Sequence, residues 1–187
     1  MTRAETQNSD LMKKYAEMNR IADKGGVVFF GSNHLAKIPV SELGRSFRMQ
    51  EALYNRSVAD TCIGELQDTL HTCVLDLEPE KVFVNLGDAD LQQAHLNMDD
   101  FIAKYEWLLY SIHTRTNAKI YVVSVLEDTP TARRMNTRLK RLAAECGSDY
   151  VDVTEVLDTD RPEVRTFELL KAYIRSRLIS FSEAMVQ

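Results

Sequence analysis

Apolar residues along the chain follow two alternating rhythms, one near 3.6 residues and one of short unbroken runs. Leu11, Met12, Tyr15, Met18 and Ala22 recur at helical spacing and predict a helix over 8–23, which Gly25-Gly26 stops. Val27 to Phe30 is a continuous apolar run, the pattern of a strand covered on both faces. Pro39, followed by Ser41, Leu43 and Phe47, predicts a helix start, and residues 52–55 a second strand. Ile63, Leu66, Leu70, Val74 and Leu77 line one side of a single long helix predicted over 60–77, which Pro79 breaks. Residues 82–86 read as a third buried strand, followed by a helix over 99–114 that carries Phe101, Ile102, Tyr105, Leu108, Leu109 and Ile112. The Val- and Ile-rich segment 119–126 is the strongest strand pattern. A basic amphipathic helix over 131–146 ends at Gly147, a fifth strand covers 150–153, and a closing helix covers 163–180.

Strands separated by helices imply right-handed crossovers and a parallel sheet with helices on both faces. The chain shows no repeat, low-complexity tract or linker, so one α/β domain is expected over 25–187, with 1–24 a helical extension packed on it. In such a sheet ligands sit at the carboxyl ends of the strands. The loops at 31–39, 56–61, 87–97, 127–130 and 154–162 are therefore the places to seek chemistry.

Composition narrows the classes. The 187 residues are 44% hydrophobic and 27% charged, enough for a substantial core. A formal charge of −5 and a pI near 5.4 argue against a nucleic-acid partner. No apolar run is long enough to span a bilayer, and residues 1–10 lack the apolar region of a secretory signal. A cytoplasmic location, with no membrane association, is the expectation. Cys62, Cys73 and Cys146 form an odd set without CxxC spacing, as free thiols in a reducing compartment do. Cys62 and Cys73 are expected on one helix as small apolar residues.

The strand-end loops carry a further pattern. Val27-Val28-Phe29-Phe30-Gly31-Ser32-Asn33, with its continuation Leu35 to Leu43, resembles the first motif of the SGNH (GDSL-type) hydrolases, where a strand runs into Gly-Asp-Ser or Gly-Ser-Ser. Leu53-Tyr54-Asn55-Arg56-Ser57 resembles the second motif, usually Asn-Arg-Gly. Gly87-Asp88-Ala89-Asp90 resembles the third, usually Gly-x-Asn-Asp, and Tyr150-Val151-Asp152-Val153 the last strand. The resemblance spans roughly 26–156 and implies a three-layer α/β/α, flavodoxin-like fold with a five-stranded parallel sheet. It also implies a lipase- or esterase-type acylhydrolase site without cofactor or metal.

The side chains depart from that implication. In the family a serine attacks an ester carbonyl, a late histidine takes its proton, and an aspartate orients the histidine. Asn33 stands at the serine position, and an amide nitrogen is no nucleophile. Ser57 replaces the glycine whose backbone N–H serves the oxyanion hole and retains such an N–H. Ala89 replaces the asparagine donor, and losing one such donor costs about 2.7–4 kcal/mol of transition-state stabilisation. The family's Asp-x-x-His follows the fifth strand, where residues 154–165 contain no histidine; the last histidine is His113. The chain reads as a non-catalytic homologue that binds an unidentified small molecule or protein partner at the former active-site mouth, as a monomer or an oligomer.

Alternatives remain at this point. Ser32 could act as a displaced nucleophile with His34 or His95 as base, or its hydroxyl could bond local backbone in a tight turn. Asp60, Asp88 and Asp90, with His95, form an acidic group suited to a hard cation or to a general base with a raised pKa, although loop aspartates commonly make turns and caps. Ser32, Asn33, His34, Ser57, Asp60, Asp88, Asp90 and His95 are the candidate ligand-binding residues, and no metal site is expected. Arg133, Arg134, Arg138, Lys140 and Arg141 read as a solvated helix face, and His71 and His113 as ordinary helix residues. An active hydrolase with relocated groups and a purely structural interaction protein are the competing classes. A phosphoacceptor domain would need an acidic pair after the first strand, which Gly31-Ser32-Asn33 does not supply.

Overall fold

The computed structural model describes residues 3–175. Helix α1 (Arg3–Asn19) leads into β1 (Val27–Gly31), the short helices α2 (Asn33–Ala36) and α3 (Val40–Ser46), and β2 (Leu53–Asn55). Then come α4 (Ile63–Leu66), α5 (Leu70–Cys73), β3 (Lys81–Asn85), α6 (Asp88–Leu91), α7 (Met98–Arg115) and β4 (Lys119–Val123). The last elements are α8 (Pro130–Glu145), β5 (Asp149–Val151) and α9 (Pro162–Arg175). All strand pairings are parallel, in the order β2-β1-β3-β4-β5. The chain runs one way from β1 to β2 and the other way to β3, so the loops after β1 and β3 part and leave a crevice between them.

Strand alternation sends the apolar runs into two separate cores. Val28, Phe30, Val82, Val84, Ile120 and Val122 face α5, α7 and α8, and Leu11, Met12 and Tyr15 of α1 pack against the same cluster. Val27, Phe29, Phe83, Tyr121 and Val123 face α9. Rings stack across this second face: Phe29 on Phe83 at 5.1 Å, Phe83 on Tyr121 at 4.8 Å, and Phe167 of α9 against Phe29 at 6.3 Å. Such pairs add about 0.5–1.5 kcal/mol each beyond their area burial. The fold is thus the expected three-layer α/β/α sandwich.

The expected long helix over 60–77 is broken. α4 and α5 are joined by a 3₁₀ turn at Gln67–Thr69, and a second 3₁₀ turn at Leu75–Leu77 precedes Glu78, whose φ is 45°. Gly64 weakens the helix, and the Thr69 hydroxyl donates to the Leu66 carbonyl at 2.8 Å. Ile63, Leu66, Leu70, Val74 and Leu77 are nevertheless all buried, because tight turns keep the same face inward. The break also separates the two cysteines. Cys73 is fully buried in α5, whereas Cys62 precedes α4, is half-buried, and accepts from Gln93 at 3.4 Å.

Other boundaries move less. α1 ends at Asn19, short of 23, because the buried Asn19 side chain turns to donate to the Thr72 carbonyl at 2.7 Å. β4 ends at Val123, short of 126, because the Asn136 side chain takes both the N–H and the C=O of Val125. The predicted closing helix begins as α9, and its stretch 176–180 lies outside the described residues.

The basic face of α8 is paired with carboxylates: Arg133 with Asp128, Arg138 with Asp99, and Arg141 with Glu145. Among the described residues no helix is long and apolar enough to cross a membrane.

Candidate functional site

The crevice is built first by backbone. At the end of β1, Gly31 lies so close to β3 that a Cβ there would sit 2.3 Å from the Asn85 carbonyl oxygen, so only glycine fits. The next residue, Ser32, donates its N–H to that same carbonyl at 3.0 Å. Its side chain is fully buried and its hydroxyl has no hydrogen-bond partner among the described residues, as is also true of the Asn85 side-chain oxygen. Ser32 therefore makes neither of the expected bonds: no histidine accepts its proton, and no local carbonyl does.

Asn33 opens α2 with a half-buried side chain whose carbonyl oxygen accepts the Asp60 N–H at 2.6 Å. That bond pins the loop after β2 at a residue with φ of 56°, a left-handed geometry uncommon for a residue with a Cβ. The Asp60 carboxylate itself is exposed. Ser57 does not keep the free N–H expected of it. Its N–H does not point free into the crevice but donates to the Asn55 side-chain oxygen at 3.0 Å, while its carbonyl accepts the Tyr15 hydroxyl at 2.9 Å. Asn55 Nδ2 donates in turn to the Leu35 and Ile38 carbonyls at 2.7 and 3.0 Å, tying β2 to the α2–α3 turn.

On the β3 side, Asp88 and Asp90 take separate structural tasks. Asp88 accepts the His34 N–H at 2.9 Å and the Ala89 N–H at 3.2 Å, joining α2 to α6. Burial raises its carboxyl pKa, and these N–H bonds oppose the rise. Both Asp90 oxygens lie 3.2 Å from the Ile63 N–H at the start of α4, and burial pushes this carboxyl up to about 6. Ala89 is buried and offers no side-chain donor.

His34 is not poised beside Ser32. Its ring is buried, and Nε2 lies 2.8 Å from the Thr166 hydroxyl of α9. Desolvation by burial lowers its pKa to about 4, outweighing the attraction of Glu163, so the imidazole is neutral at pH 7. His95 is exposed and lines a different cavity of about 280 Å³ with Asp90, Asn97 and Lys104. The proposed acidic group is thus dispersed, and among the described residues no cluster of three His, Cys, Asp or Glu side chains could hold a metal ion. His71 pairs with Asp76 at 2.9 Å, and His113 is exposed.

The structure adds residues that sequence spacing did not reveal. Thr166, Asn55 and Tyr15 fix the candidate groups from elements distant in sequence. Residues 154–165, which run from beyond β5 into α9, contain no histidine, and Thr166 follows directly after them.

Comparison with solved structures decides the fold's affiliation. A GDSL-like lipase from Bacteroides thetaiotaomicron superposes with a TM-score of 0.72 at 17% identity, covering 87% of this chain and 96% of the lipase. The fold is that of the SGNH hydrolases. An acetylxylan esterase from Geobacillus stearothermophilus matches this SGNH-fold chain with a TM-score of 0.66 at 13% identity, over 85% of this chain and 98% of the esterase. Catalytic mutants of that esterase replace a serine and a histidine. No protein-family model matches the sequence, and no curated protein does.

Proposed function

We propose that this SGNH-fold protein is a non-hydrolytic member of its fold that binds a small molecule or partner at the strand-end mouth. The observation that carries the reading is the fate of the three groups acyl transfer needs. The attacking position holds the Asn33 amide, engaged by the Asp60 N–H. The nearby hydroxyl, Ser32, is sealed from solvent without a base. The nearby imidazole, His34, is committed to Thr166 and kept neutral by burial. Two of the family's oxyanion donors are also unavailable, one to Asn55 and one to the change to alanine.

A hydroxyl–imidazole pair does exist in Thr166–His34, but both members are buried, and the Asp88 carboxylate meets the His34 backbone rather than its ring. That arrangement ties α2 to α9. It supplies no accessible nucleophile, which favours the binding reading over a hydrolase with relocated groups.

The test is a turnover assay with p-nitrophenyl acetate and longer-chain esters on purified protein beside an Asn33→Ala control. The reading expects both proteins to match background hydrolysis. Turnover that disappears in Asn33→Ala, or that Ser32→Ala or Asp88→Asn removes, would overturn it.

A further inference from the structure

At the edge of the sheet, β2 delivers a buried cation with no anion. Arg56 is 3% exposed, yet among the described residues no carboxylate lies within 4.0 Å of its guanidinium. Nε donates to Asn19 Oδ1 at 3.0 Å and Nη1 to the Asn55 carbonyl at 3.2 Å. The Tyr15 and Tyr54 rings lie 4.9 and 5.4 Å from its central carbon. Among the described residues Nη2 has no hydrogen-bond partner, although a guanidinium carries five N–H donors in a rigid fork. Ring faces compensate part of the lost hydration of a cation, but an unpaired buried charge remains costly. Burial accordingly lowers the guanidinium's pKa.

This cation does not face closely packed protein. It lines a cavity of about 650 Å³ between the end of α1, the α2–α3 turn and β2, within the size range of ligand pockets. Met18, Ile38, Val40 and Leu53 supply apolar wall. The carboxylates at this cavity, Asp23 and Glu42, are exposed, as is Arg45. Charge is therefore arranged with one cation buried inside, two carboxylates and the Arg45 guanidinium at the exposed rim, and hydrocarbon around. Ser57 and Asn55 lie on its wall, but Asn33, Asp60 and Asp88 do not line the cavity, so it is centred on the β2 side, away from the position of attack.

We infer that this cavity binds a small monocarboxylate with an apolar body, its carboxylate held by the open edge of Arg56 and its body against Met18, Ile38, Val40 and Leu53. A carboxylate suits the planar fork, which accepts two parallel N–H···O bonds. A phosphate suits it less, because a single buried cation would face two negative charges. The inference goes beyond the reading of the strand-end mouth and does not depend on whether esters are hydrolysed.

The test uses the full chain and three probes of one shape: hexanoate, hexanamide and hexylammonium. Calorimetric titration is expected to give saturable one-to-one binding of hexanoate at least tenfold tighter than hexanamide, with no binding of hexylammonium. Arg56→Gln is expected to abolish the preference for hexanoate over hexanamide. Because Arg56 also anchors α1, Ala22→Phe serves as a second variant, adding bulk to the cavity wall while leaving Arg56 in place, and should weaken hexanoate at least tenfold. Amide chemical-shift changes on adding hexanoate should centre on Tyr15, Tyr54 and Arg56. Equal affinity for hexanoate and hexanamide, no saturation, full affinity in Ala22→Phe, or shifts centred elsewhere would overturn the assignment.

Discussion

The buried His34 ring makes a quantitative prediction about acid stability. Its folded-state pKa of about 4, set by burial, lies well below the 6.5 of an exposed histidine. At about 1.4 kcal/mol per pH unit, that gap amounts to about 3 kcal/mol. Above pH 6.5 the ring is neutral in both folded and unfolded chains and contributes no slope. As the pH falls from 6.5 towards 4, the unfolded chain takes up the proton first, so stability declines; below 4 both states are protonated and the loss levels off. His34→Gln removes the titrating group and retains a side chain that can meet the Thr166 hydroxyl. Urea unfolding at half-unit intervals from pH 4 to 8 should show wild type losing up to about 3 kcal/mol more than His34→Gln between pH 6.5 and 4. Parallel profiles for the two proteins, or an NMR titration of His34 with a midpoint near 6.5, would refute the argument.

Asp90 predicts the opposite sign. Its folded-state pKa of about 6 exceeds the ordinary 3.8, so its contribution is fully present below 3.8 and is lost as the pH rises through 6, by about 3 kcal/mol. Asp90→Asn should remove that slope in the same urea series, and an unchanged profile would contradict it. The His34 and Asp90 effects overlap and partly cancel in wild type, so single variants are needed to see either. Gly31→Ala should destabilise by at least about 1–3 kcal/mol, because its Cβ meets a backbone carbonyl that cannot turn aside; a melting temperature within a degree of wild type would refute this. The Cys73 thiol, fully buried and pushed up to about 12 by that burial, should resist a thiol reagent at pH 7.5 until the protein is denatured. Rapid native labelling of Cys73 on peptide mapping would show that α5 opens readily.

The layers of the fold were legible because they rest on local pattern. Unbroken apolar runs such as Val27 to Phe30 need cover on both sides, and the structure provides it from two cores. The interrupted helix was not legible, since 3₁₀ turns bury Leu66, Leu70 and Leu77 on one face as a continuous helix would. The candidate site was legible in its location and in its departures at Asn33, Ala89 and the absent late histidine. Its bonding was not, because the deciding partners are remote in sequence. The His34 ring meets Thr166, which lies 132 residues away, and the Ser57 carbonyl is capped by Tyr15 from 42 residues away. Arg56 formed part of a motif, yet its unpaired burial depends on α1 closing over it.

A non-hydrolytic site activates no hydroxyl for attack on an acyl or phosphonyl centre. Intact-protein mass spectrometry after incubation with a fluorophosphonate tests this most directly, since the reagent adds covalently to serine or threonine oxygens that a base has primed. An unmodified mass is expected at times that fully label a working serine esterase. A stoichiometric adduct mapped to Ser32 or Thr166 would contradict it.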